Sequence, residues 1–451
     1  PANRLPGGAA AARTAFPEDM EGAANMGEKK RRRRDLFQNI SIVLLSLSSV
    51  FLFAQTQLYT LGVDAGSDYL QYLTGESVQT PPPAQTALTS LSAPVRLAVT
   101  GVYGGRYGSV TLTTTGEVFE PVGGLLREAL RSVQPLTSCE SEEFLDALNG
   151  TSVYCDFLEC LPLPVLAGLV GASLDSDLSV RRMMVSSGEG DGVRLYLWGE
   201  EDRCWRGLSA ISPRELDDVV NGYELNGAFF AMDSGEPDAA EAAPCSLFPL
   251  ELPELPVLTS TAVLPSSDAL LTALGFYPRT NSRYTESGGV EVVTDGDRTL
   301  RISPDGFVRY RSGGDPAITV SAAGETPTVT EGVMGASALL NALLPDQAGG
   351  ASLYLQNVRR TGITMTLSFG WQINGVPIRF DRGGSAGEVT LTGGTVSMLS
   401  LRFRQYTDAG ETSLLLPLRQ ALAIAVQREG GELSIGYVDN GVTASAKWLA
   451  D

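Results

Sequence analysis

A basic run, Lys29, Lys30 and Arg31 to Arg34, leads directly into a mostly apolar stretch, Leu36 to Ala54. A helix over that stretch is roughly 28 Å long, at about 1.5 Å per residue, and matches the core of a bilayer. The positive-inside rule keeps the basic side in the cytoplasm. The pattern therefore predicts a cytoplasmic tail (1–35), one transmembrane helix (36–55) and a bulk that lies outside the cell membrane. Leu52-Phe53-Ala54 lacks small residues at both cleavage positions, so a retained anchor is expected in place of a signal peptide. Met26, ahead of the basic run, reads as a natural start.

The expected helix carries a face. Gln38, Ser41, Leu45, Ser48, Leu52 and Gln55 follow alternating steps of three and four, which place them on one side. Small and polar residues in lipid favour packing against another helix. A juxtamembrane linker (56–92) follows, and Pro81-Pro82-Pro83 favours an extended spacer.

The chain has 33 basic and 52 acidic side chains. Lys447 is the only lysine beyond the tail, a bias read as genomic in origin. The part after the tail is acidic, which argues against nucleic acid and anionic lipid as partners of its surface. No histidine is present. That excludes Ser-His-Asp and Cys-His catalysis and any His-ligated zinc. The five cysteines, Cys139, Cys155, Cys160, Cys204 and Cys245, form no CxxC and cannot all pair within one chain. Buried free thiols are the expectation.

The outer part reads as α+β in three domains. In the first (93–250), strands are expected at Arg96–Val102, Tyr107–Thr113, Ser152–Phe157, Val193–Trp198 and Gly227–Met232. Helices are expected at Val122–Val133, Ser141–Leu148 and Pro213–Asn221, the last capped by Ser212. Asp233–Pro244 reads as a surface loop. The middle domain (257–345) opens with a helix, Ser267–Leu274. Short strands follow, separated by Gly288-Gly289, Asp295-Gly296-Asp297 and Asp305-Gly306, which are hairpin signals. A helix at Val333–Leu344 closes it. In the third domain (346–451), Met365, Leu367, Phe369, Trp371 and Ile373 alternate with polar residues, and Asn374-Gly375 turns the chain. Leu418, Ala421, Leu422, Ala425 and Val426 share one helix face. The last two domains are expected as antiparallel sheets, each with helix packed on its apolar side, and their shared order of helix then meander suggests a diverged repeat.

No motif assembles chemistry. Gly101-x-x-Gly104-Gly105-x-x-Gly108 lacks both the P-loop Lys-Ser/Thr and the dinucleotide spacing, and reads as a strand connection. The Asp-Gly pairs lack EF-hand spacing. Glu140, Glu142 and Glu143 suit a helix start. Arg181-Arg182 and Arg359-Arg360 read as solvated charges. No catalytic, cofactor-binding or metal-ligating residue is expected, and no cofactor.

Three patches carry a family likeness: Ser152-Val-Tyr-Cys-Asp-Phe-Leu-Glu-Cys-Leu-Pro-Leu-Pro-Val-Leu; Leu274-Gly-Phe-Tyr-Pro with Arg283-Tyr-Thr-Glu and Thr299-Leu-Arg-Ile-Ser-Pro-Asp-Gly; and Trp371-Gln-Ile-Asn-Gly-Val-Pro-Ile with Leu416-Pro-Leu-Arg-Gln-Ala. With the basic tail and single span, they make the chain resemble the YycH/YycI regulators of Gram-positive bacteria, in their clostridial form. The resemblance implies a PepSY- or cystatin-like sheet-on-helix fold. It also implies a non-enzymatic accessory role in a two-component system controlling cell-wall metabolism. The implied partners are a sensor histidine kinase and a sister YycH/YycI-type protein, contacted through the membrane helix and the outer domains. The rival expectations are an anchored ligand-binding or envelope-assembly protein, and a carboxylate-based cell-wall hydrolase.

If the span is retained in this orientation, protease added to intact protoplasts removes residues 93–451. Full protection of that part would contradict the topology.

Overall fold

The computed structural model describes residues 91, 94–111, 117–187, 192–277, 281–313, 318–320, 326–344, 349–427 and 432–450. The tail, the expected span and the face of Gln38, Ser41, Leu45, Ser48, Leu52 and Gln55 lie outside the described residues. Among the described residues, no helix is long and apolar enough to cross a membrane.

The first segment runs β1 (Arg96–Thr100), β2 (Arg106–Ser109), α1 (Glu120–Ser132), β3 (Thr137–Cys139), α2 (Ser141–Asn149), β4 (Ser152–Pro162), α3 (Leu163–Leu169), β5 (Ser179–Ser187), β6 (Val193–Gly199), β7 (Cys204–Leu208), α4 (Pro213–Val220), β8 (Phe229–Phe230), α5 (Pro237–Ala242) and β9 (Leu247–Phe248). Seven strands form an antiparallel sheet in the order β2-β1-β4-β5-β6-β7-β3. Both faces are covered, which is why these strands are apolar nearly throughout. Odd-numbered Leu97, Val153, Met183 and Leu195 pack under α1 and α4. Even-numbered Ala98, Tyr154, Met184 and Tyr196 pack with Phe144 and Leu148 of α2 and with Phe230 and Leu247. The α1 stripe Val122, Leu125, Leu126, Ala129 and Leu130 has helical period and is buried. Ser212 and Glu215 close a capping box on α4, with Pro213 in its first turn. The segment Asp233–Pro244, expected as a loop, contains α5, which starts on Pro237.

The remainder runs β10 (Pro256–Thr261), α6 (Ser267–Ala273), β11 (Ser282–Thr285), β12 (Glu291–Asp295), β13 (Arg298–Ile302), β14 (Phe307–Ser312), α7 (Val329–Leu343), β15 (Ala351–Thr361), β16 (Thr364–Ile373), β17 (Val376–Phe380), β18 (Gly387–Thr392), β19 (Thr395–Arg402), β20 (Gln405–Thr412), α8 (Leu418–Gln427), β21 (Leu433–Asp439) and β22 (Thr443–Ala450). The expected hairpins form. Asn374 and Gly375 both have positive φ, 49° and 74°, as a two-residue turn of that hand needs. Gly306 (φ 87°) also leaves no room for a Cβ, which would lie 2.6 Å from the Phe403 carbonyl oxygen.

Two separate sheets were expected here; the structure has one sheet of 13 strands. β14 pairs with β19, Phe307 opposite Arg402 through Arg311 opposite Met398, so the middle meander continues into the C-terminal one. β10 reaches across to pair with β20 and β22. Joining the sheets pairs edge strands that separate domains would leave open. The fold is therefore mixed α and β with two large, mainly antiparallel sheets; β17 and β21 form a parallel pair.

Trp371 and Leu422 are both buried. The helix over the Trp371 core is α7, through Val333, Ala336 and Leu340, not α8 as the pattern suggested. α8 instead places Ala421 and Leu422 against Leu433, Phe248 and Ala231, a smaller cluster beside α5. α7 also meets α3, and one apolar core runs from Leu97 and Val153 to Leu367 and Trp371.

Truncating Leu340 to Ala is expected to cost about 2–5 kcal/mol, near the upper end because its site is fully enclosed. Leu422→Ala should fall near the lower end of that range. Urea unfolding of both variants checks the order; a reversed order would contradict the placement of the two helices.

Candidate functional site

Two irregular strands build the most unusual cluster of the molecule. Across β1, β4, β5 and β6 the register sets Arg96, Asp156, Arg182 and Trp198 side by side in one row. Between Asp156 and Leu161 the pairing of β4 with β5 shifts. Between Val180 and Arg182 the pairing of β5 with β6 shifts as well. Adjacent residues of a regular strand point to opposite faces. A bulge re-aims one of them, and here Arg181 and Arg182 both reach the same two carboxylates. In the β4 bulge, Leu158 has φ 66°, a conformation that costs a branched side chain roughly 1–3 kcal/mol. Its backbone N–H donates to Asp156 Oδ1 at 2.9 Å, which ties the irregular loop to the charged row.

The second carboxylate comes from the other sheet. Glu432 lies just before β21 and enters the row from outside the seven-stranded sheet. Arg96 Nη1 donates to Glu432 Oε1 at 2.9 Å and to Asp156 Oδ2 at 3.3 Å. Arg181 Nη2 sits 2.8 Å from Glu432 Oε2, and Arg181 Nε 3.3 Å from Asp156 Oδ1. Arg182 Nη2 is 2.5 Å from Glu432 Oε2, and the guanidinium lies over the Trp198 ring, 5.7 Å from its centroid. All but Arg181 are buried; the Arg181 side chain is 21% exposed.

Burial alone would raise the Asp156 carboxyl pKa. Arg181, Arg96 and Arg182 and the Leu158 N–H outweigh it and hold the group well below the usual carboxylate range. Burial likewise opposes ionisation of Glu432, and Arg182, Arg181 and Arg96 reverse the balance, so its pKa is also lowered. Both groups are anions at neutral pH and poor proton donors there. Beside them lies a cavity of about 10 Å³, room for one water-sized particle. Arg96, Leu158, Leu247, Leu433, Ser434 and Trp448 line it. Arg96 Nη2 and Arg182 Nε are buried with no hydrogen-bond partner among the described residues.

Arg181-Arg182 was expected to be solvated, and this is corrected: the pair belongs to the buried cluster, because the bulge and Glu432 supply what a strand alone does not. Arg359 and Arg360 are exposed, as expected. Asp156 had a visible signal, a charge inside the otherwise apolar run Val153 to Leu158; Glu432 had none. The glycine-rich segment is the β1–β2 hairpin, and the Asp-Gly pairs are turns between β12, β13 and β14. Glu142 and Glu143 lie in the first turn of α2, where Glu143 pairs with Arg206. All five cysteines are free thiols. Burial pushes Cys139 and Cys160 up to about 11 and Cys204 and Cys245 up to about 12, away from reactive thiolates. Among the described residues, no three His, Cys, Asp or Glu side chains are placed to hold a metal ion. Comparison with family models, curated proteins and solved structures returns no match.

Glu432→Gln leaves three guanidiniums, those of Arg96 and Arg182 buried, with one carboxylate and should cost about 3–5 kcal/mol. Glu143→Gln at the part-exposed Arg206 pair should cost about 1 kcal/mol or less. Unfolded carboxyls titrate near about 3.9 and 4.3. Below those values the unfolded chain binds protons that native Asp156 and Glu432 do not. The network's stabilisation is therefore complete above about pH 5 and is lost as pH falls below about 4. Thermal melting against pH should show that fall, and a shallower one in Glu432→Gln; an unchanged fall would detach it from the network.

Proposed function

We propose that this protein is a membrane-anchored, non-enzymatic accessory regulator of a sensor histidine kinase controlling cell-wall metabolism, acting with a sister protein of the same kind. Its basic run and apolar stretch supply the anchor, with the N-terminus cytoplasmic and the bulk extracytoplasmic. The mechanism is differential binding: the anchor and the outer body prefer one signalling state of the kinase and shift its population toward that state.

The charge state of the buried carboxylates carries this reading. In a chain without histidine, proton transfer near neutral pH would fall to a carboxyl with a raised pKa. Asp156 and Glu432, the acids of the most enclosed charged cluster, are held the opposite way by three guanidiniums. That arrangement suits a structural lock between two sheets. Exposed apolar side chains at the β1–β2 hairpin, Val102 and Tyr103, with Leu225 close to Gly105, favour a surface that meets another protein. The PepSY- or cystatin-like assignment rests on the sequence resemblance and belongs to the same proposal.

The competing reading is a carboxylate-based cell-wall hydrolase. Incubating the protein with purified peptidoglycan separates the two: reproducible cleavage, lost when one Asp or Glu becomes its amide, would establish the enzyme. For the regulator, replacing Ser41 and Ser48 by Leu should weaken association with the kinase in a membrane two-hybrid assay and leave insertion intact. Unchanged association would refute the helix face.

A further inference from the structure

The register row that carries the charged cluster does not end at Trp198. It continues to Cys204 of β7, opposite Trp198, and then to Cys139 of β3, opposite Cys204. Directly opposite residues of an antiparallel pair point to the same face, with Cα atoms about 4.5–5.5 Å apart and Cβ atoms in the same range. A disulfide needs about 4.4–6.8 Å between Cα atoms and about 3.5–4.5 Å between Cβ atoms. The backbone spacing already suits that bond, and closing it asks β3 to move inward by about 1 Å. β3 is placed to do so: it has three residues, it ends the sheet, and Thr137 and Ser138 are exposed. The other cysteines have no such partner. Cys155 stands opposite Leu97 and Met183. Cys160 lies in the β4 bulge, outside the paired register. Cys245 packs in the same apolar cluster as Cys204 but belongs to no strand.

We propose that Cys139 and Cys204 are a redox pair, which a small-molecule disulfide oxidises to a cross-strand disulfide that pins the edge strand β3 to β7. Both are thiols in this structure. Cys139 is half-buried and meets the oxidant; Cys204, 3% exposed, does not. The Cys139 thiol gives up its proton, and its thiolate attacks one sulfur of the oxidant. The other sulfur leaves as a thiolate and takes up a proton. The Cys204 thiolate then attacks the Cys139 sulfur and expels the second half of the oxidant. In all, two protein thiols lose two electrons and two protons, and the oxidant is reduced to two thiols. Burial, then Glu143 and Glu140, pushes Cys139 up to about 11 against the pull of Arg206. Burial, then Cys139 and Asp202, pushes Cys204 up to about 12 against the Ser141 hydroxyl and Arg182. Few thiolates exist at neutral pH, so exchange is slow and each redox state persists. The bond closes a loop that holds α2, β4, α3, β5 and β6, and long loops gain most from closure. This inference does not depend on the kinase reading, and its test has no kinase in it.

Two measurements on the full chain decide it. Native protein held with glutathione disulfide at mildly alkaline pH should lose two of its five thiols. Peptide mapping after alkylation should show Cys139 joined to Cys204, and dithiothreitol should restore both thiols. The oxidised protein should melt roughly 4–8 °C above the reduced one. In Cys204→Ser the bridge cannot form, and Cys139 should keep one glutathione in its place. If this variant does not fold, the wild-type map and melts alone decide. No loss of thiols, or any product without the Cys139–Cys204 bridge, including a bridge from Cys204 to Cys245, overturns the proposal. The bridge without a rise in melting temperature means that it does not hold β3 and overturns it equally.

Discussion

Three guanidiniums and two carboxylates, all but Arg181 buried where two sheets meet, are the constraint on which the rest of the molecule depends. Asp156 belongs to β4 of the seven-stranded sheet, and Glu432 directly precedes β21 of the thirteen-stranded one. The arginines reach both. Each carboxylate is ionised only because the arginines are there, and each arginine tolerates burial only because the carboxylates are. Such a network adds little net stability over an apolar core of the same shape, but it is severe on any arrangement that separates its members. The two sheets are therefore held in one relation, whatever freedom their apolar contact alone would leave.

Local irregularity is what makes the network possible. Flat, regular strands would send Arg181 and Arg182 to opposite faces, and one of the two would leave the cluster. The shift in pairing around Arg181 and the left-handed Leu158 spend backbone energy to let both reach the same two carboxylates. Strain of this kind persists only where surrounding packing enforces it, and here Leu158 lies with Leu247 of β9, Leu433 of β21 and Trp448 of β22. The proposed regulatory role would draw on such a rigid body, since a loosely joined pair of sheets would transmit no preference between a partner's states.

Much of the fold was legible in the chain. Two-residue alternation from Met365 to Ile373, the Asn374-Gly375 turn, the Ser212 cap and the three-four spacing of Leu418 to Val426 each report local geometry, and local geometry depends on neighbours in sequence. The α7 helix and the meander strands were legible for the same reason. The join of β14 to β19 was not, because an edge strand carries no mark of which other edge will pair with it. Nor was the exchange of roles between α7 and α8, since an apolar stripe shows that a helix is covered without showing by what.

The sequence by itself determined the element types, the turns, the absence of histidine chemistry and the basic-to-apolar junction near its start. Tertiary structure alone decided that the two meanders are one sheet and that Arg181 and Arg182 pair with Asp156 and Glu432. Arg96 and Glu432 are 336 residues apart, yet their charges share one hydrogen bond in the interior. An arginine on a strand reads as solvated until its counter-charge is known. Whether a charge can be buried is set by which partner arrives in space, a property that no local pattern encodes.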